Sequence, residues 1–421
     1  MPRIKTTTTL TASTAVAFLA LALNARAAEL GNETENGKEP ELVASAAAPS
    51  SASELLSASA SHQGPFTFGA YAEVYYQWNF NNPSNGITNF RGFDNRHNSF
   101  TISNVAVSAQ WDWQNLVGRV ALQVGSTPST YYAAEPSLAG SDGANATSAS
   151  LWQYIQEAYV GYRFPVGRGL TVLGGIFLSP IGPEGMAIKD NWNWSRSNLF
   201  FGLPFYHTGL RLTYPLTDRW SVTLAGYNGW NSVVDNNGEK SVSAQVTYTL
   251  PERLAVSLLY FSGVERAQGA LEGRAWRHLF DAHATWNVTS RLSLLAHANA
   301  GFEPNGFGSS IWVAGAAYAR YQLLQPLYLA VRIDAFHEYA PTLGGSTAAR
   351  IFWSSSWVTS QTATLDYRPH NRVSFRIEYR HDHAAGPQYF GGVVPVALDG
   401  VTFVGNRRGQ DSLTLGVTGW L

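Results

Sequence analysis

From Phe66 onward the chain alternates. Phe66, Phe68, Ala70, Ala72, Val74, Tyr76, Trp78 and Phe80 share one parity, and Thr67, Glu73, Gln77 and Asn79 take the other. Successive side chains of a strand point to opposite faces, so this pattern predicts a strand with one apolar and one polar face. The pattern recurs. Leu292, Leu294, Ala296 and Ala298 oppose Ser293, His297 and Asn299, and Val373, Phe375, Ile377 and Tyr379 oppose Arg376, Glu378, Arg380 and Asp382. Within residues 98–113 the apolar parity switches between Ile102 and Val105, which predicts a bulge.

Short turn clusters punctuate these runs: Pro165-Val166-Gly167-Arg168-Gly169, Pro215-Leu216-Thr217-Asp218-Arg219, Pro251-Glu252-Arg253, Asn287-Val288-Thr289-Ser290-Arg291, Gln325-Pro326 and Pro369-His370-Asn371-Arg372. Proline ends an incoming strand because it has no N–H for the ladder. Phe164, Tyr214, Trp220, Tyr248, Trp286 and Tyr367 crowd these turns. Rings of this kind suit a membrane–water interface. The expected strands are 66–80, 98–113, 115–127, 151–164, 170–178, 205–215, 219–231, 240–250, 253–263, 276–287, 291–303, 311–322, 327–339, 356–368, 372–384 and 410–421. Short turns alternate with longer loops between them.

A soluble sandwich also alternates, but it must cover its apolar face with a second sheet. Sixteen long hairpin strands with aromatic turn borders point instead to an all-β, transmembrane antiparallel barrel, with long extracellular loops and short periplasmic turns. No apolar run past the N-terminus is long enough for a membrane helix. The formal net charge is −1, so a nucleic-acid partner is not expected. Cysteine is absent, which excludes thiol chemistry and Cys-ligated zinc.

The N-terminus reads as an address. Arg3 and Lys5 precede an apolar stretch ending near Leu23, and Ala25-Arg26-Ala27 fits a small-x-small cleavage site. Residues 1–27 are therefore expected to be a signal peptide. Residues 28–64, rich in Ala and Ser, are expected to be a disordered periplasmic tail, and residues 65–421 the outer-membrane barrel.

One region carries a family resemblance. Gly174-Gly175-Ile176-Phe177-Leu178-Ser179-Pro180-Ile181-Gly182-Pro183-Glu184 opens it, followed by Trp194-Ser195-Arg196-Ser197, Pro204, His207-Thr208-Gly209 and Tyr227-Asn228-Gly229-Trp230-Asn231. In this order and spacing the motifs resemble the OmpL-like β-barrel porins of Gram-negative bacteria. The close match covers about residues 170–240, and the hairpin layout is similar over the remainder. The resemblance implies an outer-membrane diffusion channel and assigns no solute. Expected partners are outer-membrane lipid, lipopolysaccharide and small hydrophilic solutes; the sequence leaves monomer and homo-oligomer both open.

A barrel of this size leaves an aqueous lumen, and charge at a constriction then sets selectivity. By analogy with general porins, the loop Ser179 to Pro204 is expected to fold inward rather than rest on the rim. It carries Glu184, Lys189, Asp190 and Arg196, and His207 beyond it is expected to hold it by a hydrogen bond. On the inward parity, Arg119, Arg211, Arg277, Arg320, Arg332, Arg376 and Arg380 are candidates for a basic wall. Glu73, Glu157, Asp281, Asp334, Glu338, Asp366, Glu378 and Asp382 supply acids, with His283 and His297 beside them. In a water-filled lumen these charges need no burial. Opposed clusters would create a transverse field. The plainer expectation is mutual pairing, Arg332 with Asp334 or Asp366, and Arg376 and Arg380 with Glu378 and Asp382.

Two constellations invite a catalytic or metal reading: Asp281 with His283, and His381-Asp382-His383. No G-x-S-x-G nucleophile motif stands beside them. His381 and His383 share one parity and Asp382 takes the other, so the triplet cannot converge in a flat strand. Enzyme activity and a cofactor are therefore not expected. Three functional classes follow: a general diffusion pore, a sugar- or anion-selective channel, and a non-conducting barrel closed by loops 179–204 and 385–409.

Overall fold

A computed structural model describes residues 65–137 and 147–421. The expected signal peptide and tail lie outside the described residues. In chain order the strands are β1 (Phe66–Asn79), β2 (Ser99–Trp113), β3 (Leu116–Val124), β4 (Ile155–Phe164), β5 (Leu170–Leu178), β6 (Tyr206–Pro215), β7 (Trp220–Tyr227), β8 (Ser241–Leu250), β9 (Leu254–Val264), β10 (Trp276–Asn287), β11 (Leu292–Asn305), β12 (Gly308–Leu324), β13 (Leu327–Tyr339), β14 (Thr342–Leu343), β15 (Ser346–Thr347), β16 (Trp357–His370), β17 (Val373–Ala384) and β18 (Gly409–Trp420). β14 and β15 form a separate small hairpin, and the other sixteen strands close into one barrel. Each pairs antiparallel with its neighbour, and β1 meets β18 to close the ring. Closure leaves no unpaired sheet edge, which a hydrocarbon surrounding requires.

The sixteen expected barrel strands are all present. The expected bulge is also found: Glu73 faces Asn104 and Val74 faces Ile102, so Ser103 is the extra residue. Most bounds fall within two residues of those expected, and four differ by more, among them the start of β12, which lies at Gly308 rather than 311. Helix α1 (Thr127–Tyr131), with Pro128 in its first turn, ends the third strand early. Helix α2 (Ala149–Trp152) occupies the expected start of the fourth. The seventh stops at Tyr227, after which the side chains of Asn228 and Asn231 hold the main chain of Val233 and Phe205. The two-residue turn between β2 and β3 has Gln114 and Asn115 at φ 48° and 70°, the left-handed pair of a type I′ hairpin.

The two faces of the wall differ in chemistry. Outward positions are apolar and exposed, as at Phe68, Phe100, Ile102, Leu210, Leu224 and Ile333. Inward positions are polar and buried, as at Gln77, Thr223, Gln245, Ser257, Thr362 and Thr414. At the short-turn end Phe164, Trp220, Trp286 and Tyr367 stand half-exposed on the outer face, and Trp220 lies opposite Tyr248. Apolar packing is found inside the ring, where Ile181, Trp192, Leu199 and Leu203 meet Phe261, Leu279, Tyr318 and Phe336 of the wall.

Candidate functional site

One segment, residues 179–205 between β5 and β6, supplies Ile181, Trp192, Leu199 and Leu203 of this interior packing. Its backbone amides donate to carboxylates on widely separated strands. Ile188 donates to Glu73 of β1 at 2.5 Å, and Gly182 to Asp281 of β10 at 3.2 Å. β1 and β10 stand seven steps apart around a ring of sixteen. A segment that touches both lies across the lumen. Asn198 donates to Asp334 of β13 at 3.1 Å. Trp194 and Ser195 donate to the two oxygens of Glu378 on β17, at 2.5 and 2.8 Å.

Arginines of the wall bind the same stretch from the other side of its peptides. Arg332 donates to the Ser195 carbonyl at 2.5 Å and Arg376 to that of Asn193 at 3.1 Å, while Arg380 donates to that of Arg196. Four consecutive residues, 193–196, thus have their main chain held by wall side chains. Charge-assisted bonds of this kind are the stronger class. The segment also braces itself. Both oxygens of Glu184 accept from the Ser197 amide at 3.0 Å, and Ser197 caps helix α3 (Asn198–Phe201). Arg196 donates to the carbonyls of Gly185, Trp194 and Met186 and lies 5.0 Å over the Phe93 ring. His207 makes the expected contact, with Nε2 3.3 Å from Ser179 Oγ and Nδ1 3.0 Å from the Gly229 carbonyl.

Two expectations are corrected here. The inward charges were expected to face water, yet Glu73, Arg332, Arg376, Glu378, Arg380 and Asp382 are each at most 2% exposed. The inserted segment takes the place of solvent at the first five, and Arg91 of the loop after β1 covers Asp382. Nor do basic and acidic walls separate. Arg332 meets Asp334 at 3.3 Å and Arg380 meets Asp382 at 2.7 Å, as the pairing expectation had it. Arg376 instead meets Asp366 at 3.4 Å, because the oxygens of Glu378 are taken by the loop amides.

The remaining candidates are dispersed. Arg211 lies 4.3 Å over the Phe177 ring and donates to Tyr227 Oη. Arg277 pairs with Glu303 at 2.8 Å and faces Trp230. Arg320 lies 4.2 Å over Tyr328. Glu338 accepts from the amides of Ile351, Phe352 and Trp353, holding a different loop. Asp281 lies between His297 at 2.6 Å and His283 at 3.3 Å, at the root of the inserted segment. His381 turns away from this set and pairs with Asp411 at 2.9 Å.

Several residues in the same network carried no sequence signal. Arg91, in the loop after β1, reaches Asp94, Asp382 and Ser412. Glu135, after α1, accepts from Tyr206 Oη at 2.6 Å and from the Val233 amide at 2.9 Å. Burial pushes its carboxyl above the usual carboxylate range, against these hydrogen bonds. Such loops have no period to read, and a main-chain donor has no residue identity. One available sign was Asn191-Trp192-Asn193-Trp194-Ser195-Arg196, whose alternating rings and amides suit a buried polar site better than a solvated loop.

What the inserted segment leaves open is a cavity of about 280 Å³ beside β1–β4. Ser108, Gln110 and Gln156 line it, with Arg119, Lys189 and Asp190 partly exposed and Glu157 largely buried. Arg119 pairs with Glu157 on the wall at 2.9 Å, and Lys189 pairs with Asp190 on the loop at 2.8 Å.

The chain resembles known proteins in two ways. A family model described as "Putative beta-barrel porin-2, OmpL-like" matches residues 65–415. Among solved structures, the outer membrane channel DcaP of Acinetobacter baumannii is similar at 12% identity and a TM-score of 0.51, over 85% of this chain and 97% of that one. An anion-selective porin from Comamonas acidovorans aligns at 11% identity and 0.53, over 85% and 99%. OmpT of Vibrio cholerae, in a trimer form, aligns at 10% identity and 0.52, over 85% and 100%. No curated protein sequence matches the chain. These structures share the fold, and the family match runs through nearly the whole barrel, so the chain belongs to the OmpL-like family of outer-membrane β-barrel porins.

Proposed function

We propose that the protein is a passive channel for small hydrophilic solutes and ions, with its narrowest passage between the inserted segment and β1–β4. The observation that carries this reading is the cavity itself, where Arg119, Lys189 and Asp190 stay partly exposed while Glu73, Arg332, Arg376, Glu378 and Arg380 are buried. In this reading the short turns face the periplasm, the long loops face outward, and lipid and lipopolysaccharide surround the apolar belt. Residues 1–27 direct export and are removed, and residues 28–64 form a periplasmic tail. The trimer form of the Vibrio cholerae relative supports a homo-oligomer.

An anion channel built on a basic wall is less well supported. Arg332, Arg376 and Arg380 each face an aspartate and a loop carbonyl. The paired His and Asp side chains near Gly182 serve as loop anchors in this account, not as catalysts. A non-conducting barrel is the second reading, and one observation favours it. Loop 385–408 packs on the first loop, with Asn89 donating to the Gln388 carbonyl at 2.8 Å and Phe90 beside Tyr389. Liposome swelling separates the two. A diffusion pore admits small sugars with a size limit, and deleting residues 183–201 raises both rate and limit. A folded, inserted barrel that admits no solute before or after the deletion supports the closed reading.

A further inference from the structure

Among the described residues, five charged side chains line the cavity: Arg119, Glu157, Glu184, Lys189 and Asp190. Glu184 is already neutralised from outside it, by Arg332 at 3.1 Å and by the Ser197 amide. The other four form two complete ion pairs, one on the wall and one on the loop. Their side chains keep 23%, 11%, 27% and 28% exposure, so the loop pair offers both signs to a solute, and on the wall Arg119 is open while Glu157 lies largely buried behind it. Gln110 and Gln156 add uncharged donors and acceptors. A passage arranged this way has almost no net field, so a lone cation and a lone anion each meet an opposing charge beside every attractive one. A solute that carries both charges can exchange partners with a pair and leave no charge unmatched.

We infer that the passage is a zwitterion-preferring filter set by Arg119–Glu157 and Lys189–Asp190, taking small amino-acid-like solutes that carry an ammonium and a carboxylate. The inference rests on the channel reading above and goes beyond it by assigning a solute class. It also moves the control of selectivity away from Arg332, Arg376 and Arg380.

The test uses the folded, full protein in two assays. In proteoliposomes, influx of glycine is compared with that of glycolamide, its uncharged isomer, and with glycolate and ethanolammonium. Glycine should enter about threefold faster than glycolamide, and the two singly charged solutes should enter more slowly than either. In planar bilayers under a KCl gradient, the K⁺ to Cl⁻ permeability ratio should lie within about twofold of one. Lys189→Gln should raise that ratio about fivefold and Asp190→Asn lower it by a similar factor, since each leaves one uncompensated charge in the passage. The double variant should return it toward one and lose the preference for glycine. A conducting channel that strongly favours one ion sign, or whose ratio ignores both single variants, overturns the inference and leaves the channel reading standing. Absence of current and of all solute flux from an inserted barrel overturns the channel reading, and the inference with it.

Discussion

The docking of the inserted segment has a sharp test at Glu378. Its carboxylate receives the Trp194 amide at 2.5 Å, the Ser195 amide at 2.8 Å and Thr364 Oγ1 at 2.7 Å, all in a buried site. Glu378→Gln keeps the shape but leaves one acceptor oxygen, and its new NH₂ faces a main-chain N–H. One charge-assisted bond is lost and the survivors lose their charge, at about 1.5–3 kcal/mol per bond. Removing a buried charge returns part of its desolvation cost, so the expected net loss of docking is about 2 kcal/mol. That raises the undocked population about 30-fold. The chain has no cysteine, so a single reporter is clean. Ala187 lies on the segment and is buried against Tyr71 and Ala106. In an Ala187→Cys background, labelling by a charged maleimide should run about 30-fold faster with Gln at 378 than with Glu. Equal labelling rates together with equal channel conductance would refute the claim that this carboxylate holds the loop.

Other predictions follow from the same contacts. Arg332→Ala strands Asp334 in a buried site and frees the Ser195 carbonyl, so the barrel should lose about 3–5 kcal/mol, read as a lower urea midpoint in micelles. A Cβ at Gly416 would sit 2.2 Å from the Trp194 ring, so Gly416→Val should displace that ring and raise conductance without opening the barrel wall. The Glu135 latch should weaken with rising pH. Its docked carboxyl holds a proton more tightly than the free loop, whose carboxyl ionises first, so docking loses stability as pH rises toward the raised value. Hydrogen exchange at the Val233 amide, corrected for its intrinsic rate, should lose protection on that rise, and Glu135→Gln should flatten the dependence.

The wall was legible because two constraints acted on every residue in it. An apolar outer face and a polar inner face impose a period of two, and the pleat converts that period into strands. β5, β10 and β13 have the expected bounds, and Ser103 interrupts β2 where the parity switches. The inward charges were legible as a set, and their surroundings were not. Glu378 and Arg376 alternate correctly on β17, but their partners are main-chain groups nearly two hundred positions away, which no side-chain pattern records. Glu73 likewise meets a main-chain group, the Ile188 amide, 115 positions away. A sequence shows which face a carboxylate occupies and not whether water or a peptide will meet it there. Length and ring content drew attention to the inserted segment; its register against the wall depends on the closed barrel.

Whether a passage persists beside the docked segment can be read from single-channel current of the purified protein in a planar bilayer. Steady, stepwise conductance is expected, and it should grow when Glu378→Gln loosens the loop. A protein demonstrably folded and inserted, yet silent in both forms, would contradict that expectation.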